Sequence, residues 1–337
     1  MSNYQKLAGY VIESYASDLL KQLSTISDYS SNTDYESCTI IGIGGSGIVG
    51  AYWKILAEPD WKKPISTANY EKPSFPERAA DIVIAVSYSG STYETIQLFK
   101  SIAKYAKITC VISGQGELLD IAHALGSHVR LVTGAPAPRF GLAMMLGATA
   151  SLFCSLVGDL PVRLKLENAA RKLRERLDDS ATKSLVKSIV GFVGSSYPVV
   201  YGSGYLLPVA YRWKTQFNEN AKIPAFCGEL PECNHNEINA WESEKARQDF
   251  CGIMLSGECS ESETAIFQDT YRDASGLRVL KIGLPAADKV EETLMLTAVG
   301  DLASIALAQK LGNDPLKVDV IEKAKRVQRE MLNSIGN

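Results

Sequence analysis

The pattern that most constrains this chain is an alternation in which short β-branched runs end in Gly or Ser and give way at once to helical patterns. TIIGIGG, DIVIAVSYSG and ITCVISG show it in the first half. PVVYGSG before LLPVAYRWK, FCGIMLSG before a Glu-Thr helix, and RVLKIG before a long helix from about Glu291 show it again in the second. Such runs are the strands of a parallel sheet covered by helices. The expected organisation is two α/β domains in tandem, residues 1–160 and 188–337. A helical region at 161–187 joins them, where charges cluster from Arg163 to Lys187.

The halves can be overlaid. Gly45-Ser46-Gly47 aligns with Gly202-Ser203-Gly204 at an offset of 157, each followed by a helix with Ala-Tyr and Trp-Lys. Ser87, Glu94 and Thr95 align with Ser256, Glu263 and Thr264 at an offset of 169. The difference, 169 minus 157, reads as a 12-residue insertion in NENAKIPAFCGELPECNHNEINAWE. Elaborated loops on a rigid scaffold are where function tends to sit.

With 337 residues, 46% of them hydrophobic, each domain can bury a core of its own. The balance of 35 Lys+Arg against 38 Asp+Glu, a formal charge of -3, gives no general attraction to nucleic acid or anionic lipid. Any affinity for phosphate must be local. The seven cysteines (38, 110, 154, 227, 233, 251, 259) show no CxxC spacing and an odd count, which fits small buried residues in a reducing compartment. Leu7, Val11, Ile12, Tyr15, Leu19, Leu20 and Leu23 fall at helical spacing between charges, so the N-terminus reads as an amphipathic helix and not a signal peptide. No run is expected to reach the roughly 18 uncharged apolar residues of a membrane span, and the expected location is cytoplasmic.

IGIGGSG satisfies GxGxxG through Gly42, Gly44 and Gly47, which admits a dinucleotide-binding unit with Glu71 as its acidic residue. The second motif, Ser87-Tyr88-Ser89-Gly90-Ser91-Thr92, argues otherwise. Hydroxyls, a permissive glycine and the free N–H groups of a helix start make a compact site for a phosphate dianion. The bland alternative is that these hydroxyls only cap a helix. At the offset of 169, Glu258 and Glu261 stand opposite Ser89 and Thr92, and carboxylates repel phosphate, so the first half is expected to be the phosphate-binding one.

GxGGSG followed by SYSGxT resembles the signature of SIS domains, which bind phosphosugars, and the whole chain resembles the bifunctional phosphoglucose/phosphomannose isomerase family. The resemblance implies two tandem SIS domains, each a parallel-sheet αβα sandwich of flavodoxin-like type, with Gly45, Ser46, Ser87, Ser89 and Thr92 at the sugar phosphate. ELPECNHNEINAW is similar to the family's LPELNHNEI, with Cys233 in place of Leu and Ala240 in place of Gly. That match makes His235 the ring-opening histidine. The Asn-Glu-Asn-Ala-Lys segment makes Glu219 the base, with Glu232 and Glu237 the next carboxylates to consider. Arg139 in GAPAPRFGLA resembles the family's arginine after a proline-containing loop, and its fixed charge suits a developing enediolate. NDPLKVDVIEKAK resembles the family's closing DP…V..I…K pattern, and that resemblance implicates Lys325 in ring opening, with Lys317 and Lys323 as neighbours.

The function implied is an aldose–ketose isomerase interconverting glucose 6-phosphate, and mannose 6-phosphate, with fructose 6-phosphate through a cis-enediol. A base must move one proton between C1 and C2, and positive charge must meet the oxyanion. The family pattern further implies a homodimer whose active site is shared between subunits. No cofactor, nucleic acid or membrane partner is expected. A metal is not expected either: of three histidines, His123 and His128 stand five apart at an expected helix end, which is not a ligand pair on one face. Two other classes stay open at this point. A non-catalytic SIS regulator would need the cradle but not Glu219 and His235, and no helix-turn-helix extension is evident. A nicotinamide-dependent dehydrogenase would bind NAD. Ketose-to-aminosugar synthases share SIS pairs but append an amidotransferase domain, for which the length leaves no room.

Overall fold

The computed structural model describes residues 2–25, 34–70, 80–260 and 262–335; Glu71 and Glu261 lie outside them. Helix α1 (Asn3–Leu23) starts at a capping box, Ser2 with Gln5, and buries Leu7, Val11, Tyr15, Ala16, Leu19 and Leu23. The first half then runs β1 (Cys38–Ile41), α2 (Gly47–Trp61), β2 (Ile65–Ala68), β3 (Ile82–Ser87), α3 (Tyr93–Ile102), β4 (Ile108–Ser113), α4 (Glu117–Ala124), β5 (His128–Leu131) and α5 (Leu142–Val157). After α6 (Pro161–Arg176) and α7 (Ser180–Val193) the second half runs β6 (Tyr197–Gly202), α8 (Leu207–Gln216), β7 (Phe226–Glu229), α9 (Glu244–Asp249), β8 (Phe250–Leu255), α10 (Ser262–Ser275), β9 (Val279–Ile282), α11 (Lys289–Leu311) and α12 (Asp319–Ile335).

Both sheets are wholly parallel, ordered β2-β1-β3-β4-β5 and β7-β6-β8-β9. The six residues of β3 are all buried, as a strand covered on both faces requires. The first order is the flavodoxin-like one; the second repeats it without a fifth strand. In such sheets the chain departs in opposite directions from the two central strands, which leaves a crevice beyond their carboxyl ends. Here that crevice lies between the loops after β1 and β3.

The strand registers correct the internal alignment. Ile41 pairs with Ala85 in the first sheet and Tyr201 with Met254 in the second, and because Met254 lies 169 beyond Ala85, Tyr201 answers to Ile41 at an offset of 160, not 157. The same offset relates Gly44 (φ 59) to Gly204 (φ 52) and Lys62 (φ 58) to Lys222 (φ 59), two turns and two helix ends in left-handed backbone. It also relates Trp53-Lys54 to Trp213-Lys214. Beyond β7 the offset is 169, as read from sequence. The insertion is therefore 169 minus 160, nine residues, and falls between β7 and β8. His235 lies inside this elaborated stretch. Glu219 lies before it, on a helix end that both halves share.

Helix α1 packs against α5, α6 and α11, while α11 packs against α6, α7 and α8. One hydrophobic cluster includes Ile40 and Ile84 from the first sheet and Val200 and Ile253 from the second. This arrangement corrects the membrane expectation. Pro138–Val157 and Lys289–Leu311 are long and apolar enough by composition to cross a bilayer, yet 89% and 78% of their apolar windows are buried inside the fold. A helix enclosed on all sides is apolar all round. His128 opens β5 instead of standing at a helix end, and among the described residues no three His, Cys, Asp or Glu cluster as metal ligands. All seven cysteines are free, five of them buried.

Candidate active site

A cleft of about 600 Å³ opens at the switch point of the first sheet, lined by the loops after β1 and β3, the turn before α5, the end of α8 and one face of α12. That volume suits a small phosphorylated ligand. Gly44 takes a left-handed φ of 59° at the floor. Gly45 approaches the backbone of Arg139 so closely that a Cβ would sit 3.1 Å from its Cα. Across from them, Gly90 at φ 64° could carry no side chain at all, because a Cβ would meet the Gln115 carbonyl oxygen at 1.4 Å.

The hydroxyls divide into two groups. Ser87 is buried behind the loop, where its Oγ bonds the Thr92 hydroxyl at 3.1 Å and accepts the Gly90 N–H at 3.2 Å. Ser46 Oγ accepts the Tyr88 N–H at 3.1 Å, which ties the β1 loop to the β3 loop. Ser89, Ser91 and Thr92 face the cleft together with Gly45 and Ser46. Neither Ser46 nor Thr92 makes a side-chain cap to the helix it precedes. The capping alternative therefore fails for both, and α2 and α3 turn their positive dipole ends to the cleft, although at α2 the Ile48 and Val49 N–H groups already donate to the Gly44 and Ser46 carbonyls.

Arg139 forms the opposite wall, on a 3-10 turn between β5 and α5. Its Nε donates to Asn220 Oδ1 at 2.8 Å, one Nη donates to the Pro315 carbonyl, and Nη1 lies 3.4 Å from Glu219 Oε2. Burial pulls its pKa down, and the Glu219 carboxylate opposes that shift. Behind it, Arg212 and Asp301 form a fully buried ion pair at 2.7 Å. Tyr15 and Gln216 also donate to Asp301, and Arg212 donates to the Arg139 carbonyl at 2.9 Å. Burial disfavours the charge on Arg212, but Asp301 and the phenols of Tyr15 and Tyr52 outweigh it and raise its pKa.

Glu219 sits on a π-helical turn, Phe217–Ala221, that extends α8 and ends at the left-handed Lys222. Such turns concentrate at functional sites. Lys222 Nζ donates to the Glu219 carbonyl at 2.6 Å, Asn220 Nδ2 bonds Ser304 Oγ, and Asn313 bonds the Ala221 carbonyl. The turn is fixed by its neighbours while the Glu219 carboxylate, 30% exposed, reaches the cleft.

Lys325 lines the cleft from α12, and Gln328 and Arg329 join it on the same face. Sequence reasoning missed those two, although i+3 and i+4 from Lys325 would have pointed to them. Gln328 donates to Glu94 Oε1 at 2.8 Å and so ties α12 to the start of α3. His235 does not line this cleft. It is exposed at the end of a 3-10 turn, Glu232–His235. The loop beneath it is anchored by Glu237, whose Oε1 accepts from Tyr201 at 2.6 Å and from Tyr271 at 2.9 Å. Glu237 is thus committed to holding the loop.

The family described as bacterial phospho-glucose isomerase C-terminal SIS domain matches residues 179–327. A bifunctional phosphoglucose/phosphomannose isomerase of Aquifex aeolicus is 32% identical over 299 residues, covering 87% of this chain and 90% of the relative. This chain belongs to the bifunctional phosphoglucose/phosphomannose isomerase family. Within reach of the same comparison is a D-glucosamine-6-phosphate 4-epimerase of Sulfolobus acidocaldarius, 29% identical over 300 residues and covering 88% of this chain and 90% of that protein. The family's fold also agrees with that of a hypothetical protein from Thermus thermophilus, with a TM-score of 0.70 and 16% identity over 98% of this chain and 89% of that one. The sequence resemblance to the isomerase family and the expected pair of parallel-sheet SIS units are both borne out.

Proposed function

We propose that this member of the isomerase family interconverts glucose 6-phosphate, and mannose 6-phosphate, with fructose 6-phosphate by moving one proton between C1 and C2. The observation that carries the reading is the pairing of a half-buried carboxylate, Glu219, with a buried guanidinium, Arg139, in one cleft with a cradle of hydroxyls and helix starts, where the other lining carboxylate, Glu94, is held by Gln328.

In this mechanism the phosphate sits on Ser89, Ser91, Thr92 and the first-turn N–H groups of α3, with Gly45 and Ser46 closing the floor. Ser87 shapes that loop from behind. Glu219 takes the C2 proton of the open-chain aldose and returns it to C1, and Arg139 faces the enediolate oxygen. Lys325 and a histidine open the ring. His235 of this chain does not line the cleft, so we assign that histidine to a second copy in a homodimer, where the partner subunit's His235 completes the site. The exposed apolar side chains Val320, Val327 and Met331 of α12, beside the cleft, support burial of this face against another chain.

A coupled assay on glucose 6-phosphate and mannose 6-phosphate, with glucosamine 6-phosphate as the competing substrate, tests the reading. Turnover of the first two to fructose 6-phosphate is expected. Turnover of glucosamine 6-phosphate alone would move the chemistry to that of the Sulfolobus relative.

A further inference from the structure

Glu292, in the first turn of α11, is fully buried and aimed at the loop after β8. Its Oε1 accepts the Glu258 N–H at 2.9 Å, and its Oε2 accepts the Cys259 N–H at 3.4 Å and the Tyr205 hydroxyl. A buried carboxylate needs such partners. The pocket around it is closed: a Cβ on Gly257 would lie 2.0 Å from the Tyr205 Oη and 2.9 Å from Glu292 Oε2.

The internal repeat gives this cluster its meaning. At the offset of 169, Glu258 and Cys259 stand where Ser89 and Gly90 stand in the first half, and at 160 Tyr205 stands where Gly45 does. The same two loops, after the first and third strands of each unit in chain order, converge in both halves. In the first half Gly45 packs against the backbone of Arg139, a cation, on the wall of an open cleft. In the second, the wall that meets these loops supplies an anion.

We infer that the second half retains an oxyanion cradle whose ligand is the chain's own Glu292 carboxylate, seated on the loop amides and the Tyr205 hydroxyl. The charge of Glu258 is not what closes the site, since that residue is exposed and contributes its backbone N–H to the cradle. The ligand class the vacated cradle would accept is a small tetrahedral oxyanion, inorganic phosphate or sulfate. This goes beyond the isomerase proposal and does not rest on it.

The test uses the full chain and inorganic phosphate. Glu292→Ala leaves the N–H groups of Glu258 and Cys259 without an acceptor, whereas Glu292→Gln keeps the space filled. Calorimetric titration should find one more phosphate bound per chain in E292A than in wild type, and none added in E292Q. The comparison with wild type cancels whatever the first cradle binds. Equal stoichiometry in E292A and wild type overturns the inference. If E292A does not fold in chloride buffer, it is refolded in phosphate against chloride at equal ionic strength. Recovery in phosphate alone supports the cradle, and failure in both overturns it.

Discussion

Arg139 Nη1 stands 3.4 Å from Glu219 Oε2, which joins the turn after β5 of the first half to the end of α8 in the second. The guanidinium is 5% exposed and the carboxylate 30%, so the cation is the fixed wall and the carboxylate the group that reaches substrate. Arg139→Lys keeps the charge but loses the planar fork that bonds Asn220 and the Pro315 carbonyl. A fall in kcat of about 10²-fold is expected, the low end for losing an oxyanion donor. Steady-state kinetics on glucose 6-phosphate decide it, and an unchanged kcat removes Arg139 from the mechanism.

Much of this was legible beforehand because the signals were local. Strands β1, β3, β4, β6, β8 and β9 announce themselves as β-branched runs closed by Gly or Ser. The short β2, β5 and β7, four residues each, carry no comparable run and follow only from sheet pairing. The hydroxyl motif after β3 pointed to Ser89 and Thr92, the family resemblance pointed to Arg139, Glu219 and Lys325, and all five line one cleft. Burial of Ser87 and the commitment of Glu237 to two phenols depend on contacts between elements distant in sequence, and so does the Arg212–Asp301 pair behind Arg139. The repeat was misaligned by three residues because Gly-Ser-Gly recurs in both loops; left-handed backbone at Gly44 and Gly204 fixes the register.

The two serines of the β3 loop should separate. Ser89→Ala removes a hydroxyl facing the cleft, and one hydrogen bond to a charged group is worth roughly 1.5 to 3 kcal/mol, so KM should rise by about one to two orders of magnitude with the fold unchanged. Ser87→Ala instead strips partners from the Thr92 hydroxyl and the Gly90 N–H, and thermal unfolding should register it. If Ser89→Ala leaves KM alone, the phosphate is held elsewhere.

Asp301 supports the site from behind. Asp301→Ala strands the buried Arg212 charge, and breaking a buried pair costs about 3 to 5 kcal/mol. Urea melts should show a lower midpoint, with the unfolding free energy reduced by about 3 to 5 kcal/mol. The folded enzyme should also lose activity, since Arg212 no longer holds the Arg139 carbonyl. A midpoint near that of wild type would mean that Arg212 finds other acceptors.

Assembly can be tested by mixing. Glu219→Gln and His235→Ala should each be defective alone and should regain partial activity after subunit exchange, because one site of each mixed dimer then holds both wild-type groups. With exchange shown independently by a label, absence of complementation would mean that each chain supplies its own histidine.

The most direct test is exchange of the C2 proton of the open-chain substrate with deuterated solvent, which follows the base once the ring is open. Glu219→Gln keeps the volume and removes the base. Exchange and kcat should both fall by at least about 10²-fold with little change in KM. His235→Ala, in contrast, should slow turnover of the cyclic sugar more than that of the open chain. Near-wild-type exchange in the Glu219→Gln enzyme would contradict the account and move the base to another carboxylate.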